Sequence, residues 1–136
     1  MKKILVLKTS TDATMHRLFE EIKDNEISCL IQPSQIERYV KMYPDIKFIN
    51  IQKEGFYDLS REVMLNIDEV LFDELYVTYS GMGAFNYGNV MEIVERINRK
   101  KTFFYNGNGD RVEIPVFGKM KELLCRVFIK ICELVY

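Results

Sequence analysis

Short apolar runs separated by segments of helical periodicity constrain the fold of this chain more than any other feature. Four runs are mostly apolar, which is typical of strands buried on both faces, and they cover residues 4–7, 27–31, 75–79 and 102–105. A further strand is predicted at 47–51, where apolar and polar residues partly alternate and a position nearer the sheet edge is expected. A turn at 106–110 is expected to lead into a short return strand.

The segments between the strands repeat apolar residues at helical spacing, so that each helix would bury one face. The first helix carries its stripe at Met15, Leu18, Phe19 and Ile22. A second begins at Pro33 and ends before Pro44. Others are predicted between 59 and 71, from the N-cap Asn89, and over 115–136.

Strands that alternate with helices favour right-handed βαβ units. We therefore predict an α/β fold, a three-layer α/β/α sandwich with a mostly parallel sheet of about five strands, Rossmann-like or flavodoxin-like. The length is common for one domain, and we see no linker or internal repeat. Residues 1–136 are therefore predicted to form a single α/β domain.

Charge and hydropathy argue against two classes of partner. The 19 basic and 20 acidic side chains nearly cancel, giving a net charge of −1, whereas broad nucleic-acid binding requires a basic face. No apolar stretch reaches the roughly eighteen residues of a membrane span, and the first apolar run is too short for a signal peptide. We expect a cytoplasmic protein with no nucleic-acid partner and no membrane span.

Cysteines and histidines are too few for the common metal and catalytic sites. Cys29, Cys125 and Cys132 form no CxxC pair, so we expect reduced structural thiols. His16 is the single histidine, which argues against a zinc site or a histidine-centred triad, and it is expected to face solvent. The acidic segment 68–74 is interpreted as a solvated loop. No metal site is predicted.

Two loops at the carboxyl ends of predicted strands are the candidate ligand sites, since open parallel sheets bind ligands there. The first follows strand one, and its hydroxyls and the N–H groups of a helix N-terminus suit a small phosphate ligand. Its candidate residues are Thr9, Ser10, Thr11 and Thr14. Alternatively, Thr11 or Asp12 only caps the helix, because the loop has no glycine and the Asp12 carboxylate would repel an anion.

The second candidate loop, residues 81–89, combines glycines with aromatic side chains after strand four. Glycine allows backbone conformations that other residues avoid, and the aromatic rings would stack on a planar ligand. Its candidate residues are Gly81, Gly83, Asn86, Tyr87 and Asn89. The loop is neither a GxGxxG motif nor a P-loop, and local packing of its aromatic residues without a ligand is an equally good interpretation.

The last helix, residues 115–136, is the candidate interface. Its apolar stripe is broad, with Cys125, Ile129 and Cys132 along its sides. Packing on the sheet as the final crossover helix is the commoner explanation, and binding to a membrane surface is another. Because the stripe is broad, we expect part of it to cover an interface with a homodimer or a protein partner.

Two pairs of segments resemble glycosyltransferases. YGNVME at 87–92 and KKTFFYNGNG at 100–109 resemble glycosyltransferase-like bacterial proteins, in which a Tyr-x-Asn-Val/Leu helix precedes a strand and an Asn/Asp-Gly turn. KILVLK at 3–8 and CLIQP at 29–33 resemble the first Rossmann-like half of heptosyltransferase-type enzymes. Those enzymes need a second half, which carries much of the nucleotide-sugar site. The resemblance implies a stand-alone half-domain, accessory to surface-polysaccharide synthesis and without autonomous catalysis.

A weaker resemblance links the chain to flavodoxin-like proteins. TSTDAT at 9–14 is similar to the flavodoxin phosphate loop, except that Asp12 replaces a glycine and brings a carboxylate to the FMN phosphate. SGMG at 80–83, with Tyr87, is similar to the later flavin-flanking loop, and an aromatic residue at 56–57 would supply the other ring face. This resemblance implies a small nucleotide- or flavin-binding protein, with FMN or a nucleotide as its ligand.

Overall fold

A six-stranded sheet organises the fold. The computed structural model describes residues 1–51, 67, 70–79 and 94–114. The strands are β1 (Lys3–Leu7), β2 (Glu26–Ile31), β3 (Lys47–Asn50), β4 (Phe72–Tyr79), β5 (Arg99–Asn106) and β6 (Arg111–Ile114), and the helices are α1 (Asp12–Ile22) and α2 (Pro33–Met42). All paired strands are parallel except β5 and β6. The predicted α/β class, the mostly parallel sheet and the short return strand are therefore confirmed.

The strand order β3-β2-β1-β4-β5-β6 shows where the chain changes direction across the sheet. From β1 the chain adds β2 and then β3 on one side, so β3 lies at the sheet edge as predicted. It then returns to pair β4 with the free side of β1, with Leu5 opposite Leu75. In open α/β sheets such a reversal creates a crevice outside the carboxyl ends of the two central strands.

β1 is buried on both faces, as its unbroken apolar sequence predicts. Ile4, Leu5, Val6 and Leu7 are at most 1% exposed. Because successive side chains point to opposite faces, Ile4 and Val6 pack with α1 and α2, whereas Leu5 and Leu7 pack in a second apolar cluster. That second cluster includes Ile67, Val94 and Ile97 from the connections between strands. Each face of the sheet therefore carries an apolar core.

The two described helices pack as their sequences predict. α1 buries Met15, Leu18, Phe19 and Ile22. α2 begins with Pro33, whose missing N–H costs nothing in the first turn, and it buries Tyr39. Phe19 and Tyr39 contact edge to face, with ring centroids 6.5 Å apart. This aromatic contact joins the two helices over the sheet.

The acidic segment 68–74 is not a solvated loop where the structure describes it. Asp73 and Glu74 belong to β4, because β4 begins three residues before the predicted strand. Asp73 accepts a hydrogen bond from the Lys3 N–H at 2.9 Å. Glu74 is buried and accepts hydrogen bonds from the Lys2 ammonium at 3.0 Å and the Tyr76 hydroxyl at 3.1 Å. Both carboxylates therefore fix neighbouring strands at the amino end of the sheet.

Several predictions concern residues outside the described ranges. They are most of the helix expected between 59 and 71, the N-cap at Asn89, the last helix at 115–136, and the thiols Cys125 and Cys132. Residues 94–96 are helical, in agreement with the helix predicted after Asn89. In the part of the chain that the structure describes, no helix combines the length and apolarity needed to cross a membrane.

The turn between β5 and β6 contains Gly109 in a conformation that favours glycine, and a first prediction tests this position. Gly109 has φ +84°, and a Cβ there would lie 3.1 Å from the Arg17 Cδ atom. Because L-residues other than glycine pay about 1–2 kcal/mol in this region, Gly109→Ala is expected to lower the free energy of unfolding by that amount. The measurement is urea unfolding followed by circular dichroism.

Gly107→Ala is the matched control, since Gly107 lies in the same turn without a positive φ. An alanine at a compatible backbone position is neutral or slightly stabilising. Equal losses in both variants would contradict the assignment of strain to Gly109.

Candidate functional site

The structure brings the four residues of the first predicted loop together at the carboxyl end of β1. Thr9 and Thr14 are buried, Ser10 is partly buried and Thr11 is exposed. The loop lies at the strand-order reversal between β1 and β4, which is the position expected of a ligand site in an open sheet. The second predicted loop, with Gly81, Gly83, Asn86, Tyr87 and Asn89, lies outside the described residues.

Thr9 holds the two central strands together. Its hydroxyl donates to the Thr78 carbonyl at 2.5 Å, and its N–H donates to the Thr78 Oγ1 at 3.1 Å. The Thr78 hydroxyl in turn donates to the Leu7 carbonyl at 2.9 Å. The Thr9 hydroxyl is therefore already hydrogen-bonded to β4, and these bonds fix the position of the first residue of the loop.

Thr11 occupies the N-cap position of α1, so the alternative interpretation, a helix cap at Thr11 or Asp12, is confirmed in position. Within the described residues, however, the Thr11 side chain accepts no hydrogen bond from the first turn. Its Oγ1 lies instead 3.3 Å from the Thr14 Oγ1. Uncapped first-turn N–H groups are donors that an anion can use.

Asp12, in the first turn of α1, forms an ion pair across to α2. The Arg38 guanidinium lies 2.5 Å from its Oδ2, and the Tyr39 hydroxyl donates to its Oδ1 at 2.5 Å. The hydrogen bond from Arg38 and then that from Tyr39 lower the pKa of Asp12 to about 2. The carboxylate is thus ionised and already paired. This pairing removes much of the repulsion that the sequence predicts between Asp12 and an anionic ligand.

Lys8, the residue after β1, adds a buried cation that the sequence analysis did not single out. Its side chain is only 11% exposed. The ammonium donates to the Ser10 carbonyl at 3.2 Å and lies 3.9 Å from the Asp12 Oδ1. Burial lowers the pKa of Lys8, and the field of Asp12 partly opposes this. The sequence feature that could have identified Lys8 is its position directly after an apolar strand.

Two buried oxygens beside this loop have no hydrogen-bond partner within the described residues: the Ser10 Oγ and the Gln32 Oε1. Gln32 follows β2, and its Nε2 donates to the Lys8 carbonyl at 3.1 Å. Buried polar atoms are nearly always paired in native proteins. The loop therefore retains hydrogen-bonding capacity next to the Lys8 ammonium.

His16 is only partly exposed, so the prediction that it faces solvent holds in part. It is partly buried, and its Nδ1 contacts the Tyr43 hydroxyl after α2. Its ring stacks on Tyr39 with centroids 6.0 Å apart. The α1–α2 contact covers one side of the imidazole, which a sequence pattern on α1 alone could not show.

Cys29 is confirmed as a buried free thiol in β2. Burial raises its pKa, and the nearby Lys8 ammonium opposes this only in part. The thiolate, which is the reactive form, is therefore strongly disfavoured, as expected for a structural cysteine. Over the ranges that the structure covers, no three metal-ligating side chains are grouped in a way that would hold a metal ion.

Neither protein-family models nor curated proteins give a significant match to the chain.

Proposed function

We propose that this chain is a Rossmann-like, three-layer α/β/α half-domain that binds the diphosphate of a nucleotide or nucleotide sugar. The site is the crevice outside β1 and β4. We further propose that it acts as an accessory to glycosyl transfer, without a reaction of its own. The observation that carries the proposal is the pair of cations, Lys8 and Arg38, beside the N-terminus of α1 at the strand-order reversal.

The sheet supports the Rossmann-like part of this proposal. Strand order 3-2-1-4-5 is that of dinucleotide-binding sheets, whereas flavodoxin-like sheets have the order 2-1-3-4-5. α1 and α2 cover one face. On the other face Leu5, Leu7 and Leu75 pack with residues from the connections between strands, which is where right-handed crossovers place their helices. The strand order therefore favours a nucleotide over FMN.

Charge supports the choice of a phosphate ligand. Among the described residues at the loop, Lys8 and Arg38 carry two positive charges, and Asp12 carries one negative charge. The N-terminus of a helix adds roughly half a positive charge. Thus the loop keeps a positive excess although the chain as a whole is slightly acidic. The Ser10 hydroxyl, which has no hydrogen-bond partner among the described residues, supplies a donor for a phosphate oxygen.

The pKa values of Asp12 and Tyr39 support a structural or binding role for these two side chains. The pKa of Asp12 is about 2 because Arg38 and Tyr39 hydrogen-bond to it. Burial and the Asp12 hydrogen bond raise the pKa of Tyr39 far above neutrality. A general acid or base works best with a pKa near the operating pH, so neither group is suited to proton transfer.

The test is calorimetric titration of the full chain with UDP, ADP, inorganic phosphate and FMN. We expect a nucleoside diphosphate to bind with a Kd on the order of 10 μM, as about 25 non-hydrogen atoms allow. Lys8→Met keeps the apolar stem and removes the charge, so it is expected to weaken binding roughly tenfold or more. Lys41→Met is the control, since Lys41 is exposed and pairs with Glu37 on α2.

Equal affinity in both variants would contradict a site at Lys8. Tight binding of FMN, with a yellow protein, would instead favour the flavin alternative. The absence of binding to all four compounds would refute the ligand proposal.

Association through the helix predicted over residues 115–136 is a proposal based on the broad apolar stripe of their sequence, and a cytoplasmic location is a proposal too. A mass that rises with protein concentration in sedimentation or light scattering would support a homodimer. A mass of 16.1 kDa at all concentrations would argue against one.

A further inference from the structure

A cleft lies between the carboxyl-terminal half of α1 and the turn that joins α2 to β3. Its volume is about 380 Å³, within the range of small-molecule sites. Ile27, at the start of β2, lines it together with Met42 and Ile46. It is therefore at the amino end of the parallel strands, separate from the Lys8 loop at their carboxyl end.

Three aromatic rings form one side of this cleft. Phe19 and Tyr43 contact edge to face, with centroids 4.9 Å apart. The His16 ring centroid lies 5.6 Å from that of Tyr43, and the His16 Nδ1 contacts the Tyr43 hydroxyl. These contacts hold the rings in place before any ligand binds. Aromatic faces attract planar groups and cations.

The charged residues of the cleft are mainly acidic. Glu20, Asp24 and Asp45 contribute three carboxylates, and Lys23 contributes one ammonium. The Lys23 ammonium lies 2.8 Å from the Glu20 Oε1, so the excess negative charge is that of Asp24 and Asp45. Burial raises the pKa of Tyr43, and the fields of Glu20 and Asp12 raise it further. A negative potential therefore reaches the aromatic side of the cleft.

We propose that this cleft binds a small organic cation, an ammonium group carried on an aromatic body. The ring packs against Phe19 and Tyr43, and the ammonium lies toward Asp24 and Asp45. An anionic ligand would meet an excess of two carboxylates among the described lining residues. A neutral ligand would gain the apolar contacts but not the Coulombic attraction or the cation–π interaction.

The test uses tryptamine as the probe and the full chain labelled with ¹⁵N, followed by NMR. We expect shifts of the Phe19, Asp24 and Tyr43 amide signals and a Kd on the order of 1 mM, as about a dozen non-hydrogen atoms allow. The neutral analogue 3-ethylindole is expected to bind about fivefold more weakly, and the anion indole-3-propionate more weakly still. Raising the salt from about 0.05 to 0.5 M should weaken tryptamine binding only, because salt screens its attraction to the carboxylates.

Asp24→Asn and Asp45→Asn remove the charges singly. Asp24 has φ +74°, a conformation that asparagine also tolerates, so Asp24→Asn preserves the turn. Each change is expected to raise the tryptamine Kd about two- to fivefold. Glu37→Gln is the matched control, since Glu37 is a highly exposed carboxylate on α2 that pairs with Lys41.

Equal binding of 3-ethylindole and tryptamine to the unaltered chain would overturn the proposal, whatever the variants do. It would also be overturned if no shifts appear at about 10 mM tryptamine, ten times the expected Kd, or if the shifts map to another surface. Equal affinities in the Asp→Asn variants and in Glu37→Gln would do the same. The ¹⁵N spectrum of each variant shows whether it is folded.

Discussion

Leu5→Ala is expected to lower the free energy of unfolding by about 2–5 kcal/mol, the range for large-to-small changes in a core. Leu5 is fully buried in the central strand β1 and packs in the apolar cluster that includes Leu75 and Val77. β1 is hydrogen-bonded on both sides, so the sheet cannot easily collapse into the space left by the lost side chain. Urea unfolding followed by circular dichroism measures the change.

Val40→Ala is the matched control, since Val40 is 48% exposed on α2. Surface substitutions of this kind usually change stability by less than about 0.5 kcal/mol. A domain of this size has a total stability of about 5–15 kcal/mol, so Leu5→Ala should also reduce the yield of folded protein. Similar losses in the two variants would contradict the central position of β1.

Thr78→Val is expected to cost about 1–3 kcal/mol, because two buried hydrogen bonds worth roughly 0.5–1.5 kcal/mol each are lost. Valine has the shape of threonine but lacks the hydroxyl that bonds the Leu7 carbonyl and the Thr9 N–H. The change therefore removes the two bonds of the Thr78 hydroxyl without creating a cavity, and it leaves the Thr9 hydroxyl bonded to the Thr78 carbonyl. The same unfolding measurement applies. Because Thr9 begins the candidate loop, we also expect weaker nucleoside diphosphate binding.

Thr78→Ser distinguishes the hydroxyl from the methyl group. Serine keeps the hydrogen bonds and loses one buried methyl, which typically costs about 0.5–1.5 kcal/mol. The serine variant should therefore retain more stability and more ligand affinity than the valine variant. The reverse order would show that packing of the methyl group, not the hydrogen bonds, matters at this position.

The sequence predicts the elements of this fold better than their arrangement. The apolar run at 4–7 and the stripe of α1 are local patterns, and both are confirmed. The pairing of β1 with β4 joins residues such as Leu5 and Leu75, which lie far apart along the chain. No local pattern specifies this pairing, since both neighbours of β1 are apolar strands of similar length.

The sequence predicted the position of the candidate loop in the fold, but not the charge around it. Thr9, Ser10, Thr11 and Thr14 lie at the carboxyl end of β1, where parallel-sheet geometry places them. The effect of Asp12 depends on Arg38, which approaches from the next helix. The sequence alone gives the residues of α2 but not the face that it turns toward α1. The charge of the loop therefore depends on contacts between residues far apart in the sequence, which local sequence patterns do not show.

The central place of β1 has a consequence for synthesis of the chain. β2 and β3 are translated soon after β1, but the strand that covers the other edge of β1 is translated only after residues 52–71 have been added. At about 5–20 residues per second, this edge stays open on the ribosome for a few seconds. An unpaired apolar edge can pair with another chain. During those seconds a nascent chain is therefore most exposed to aggregation and most dependent on chaperones.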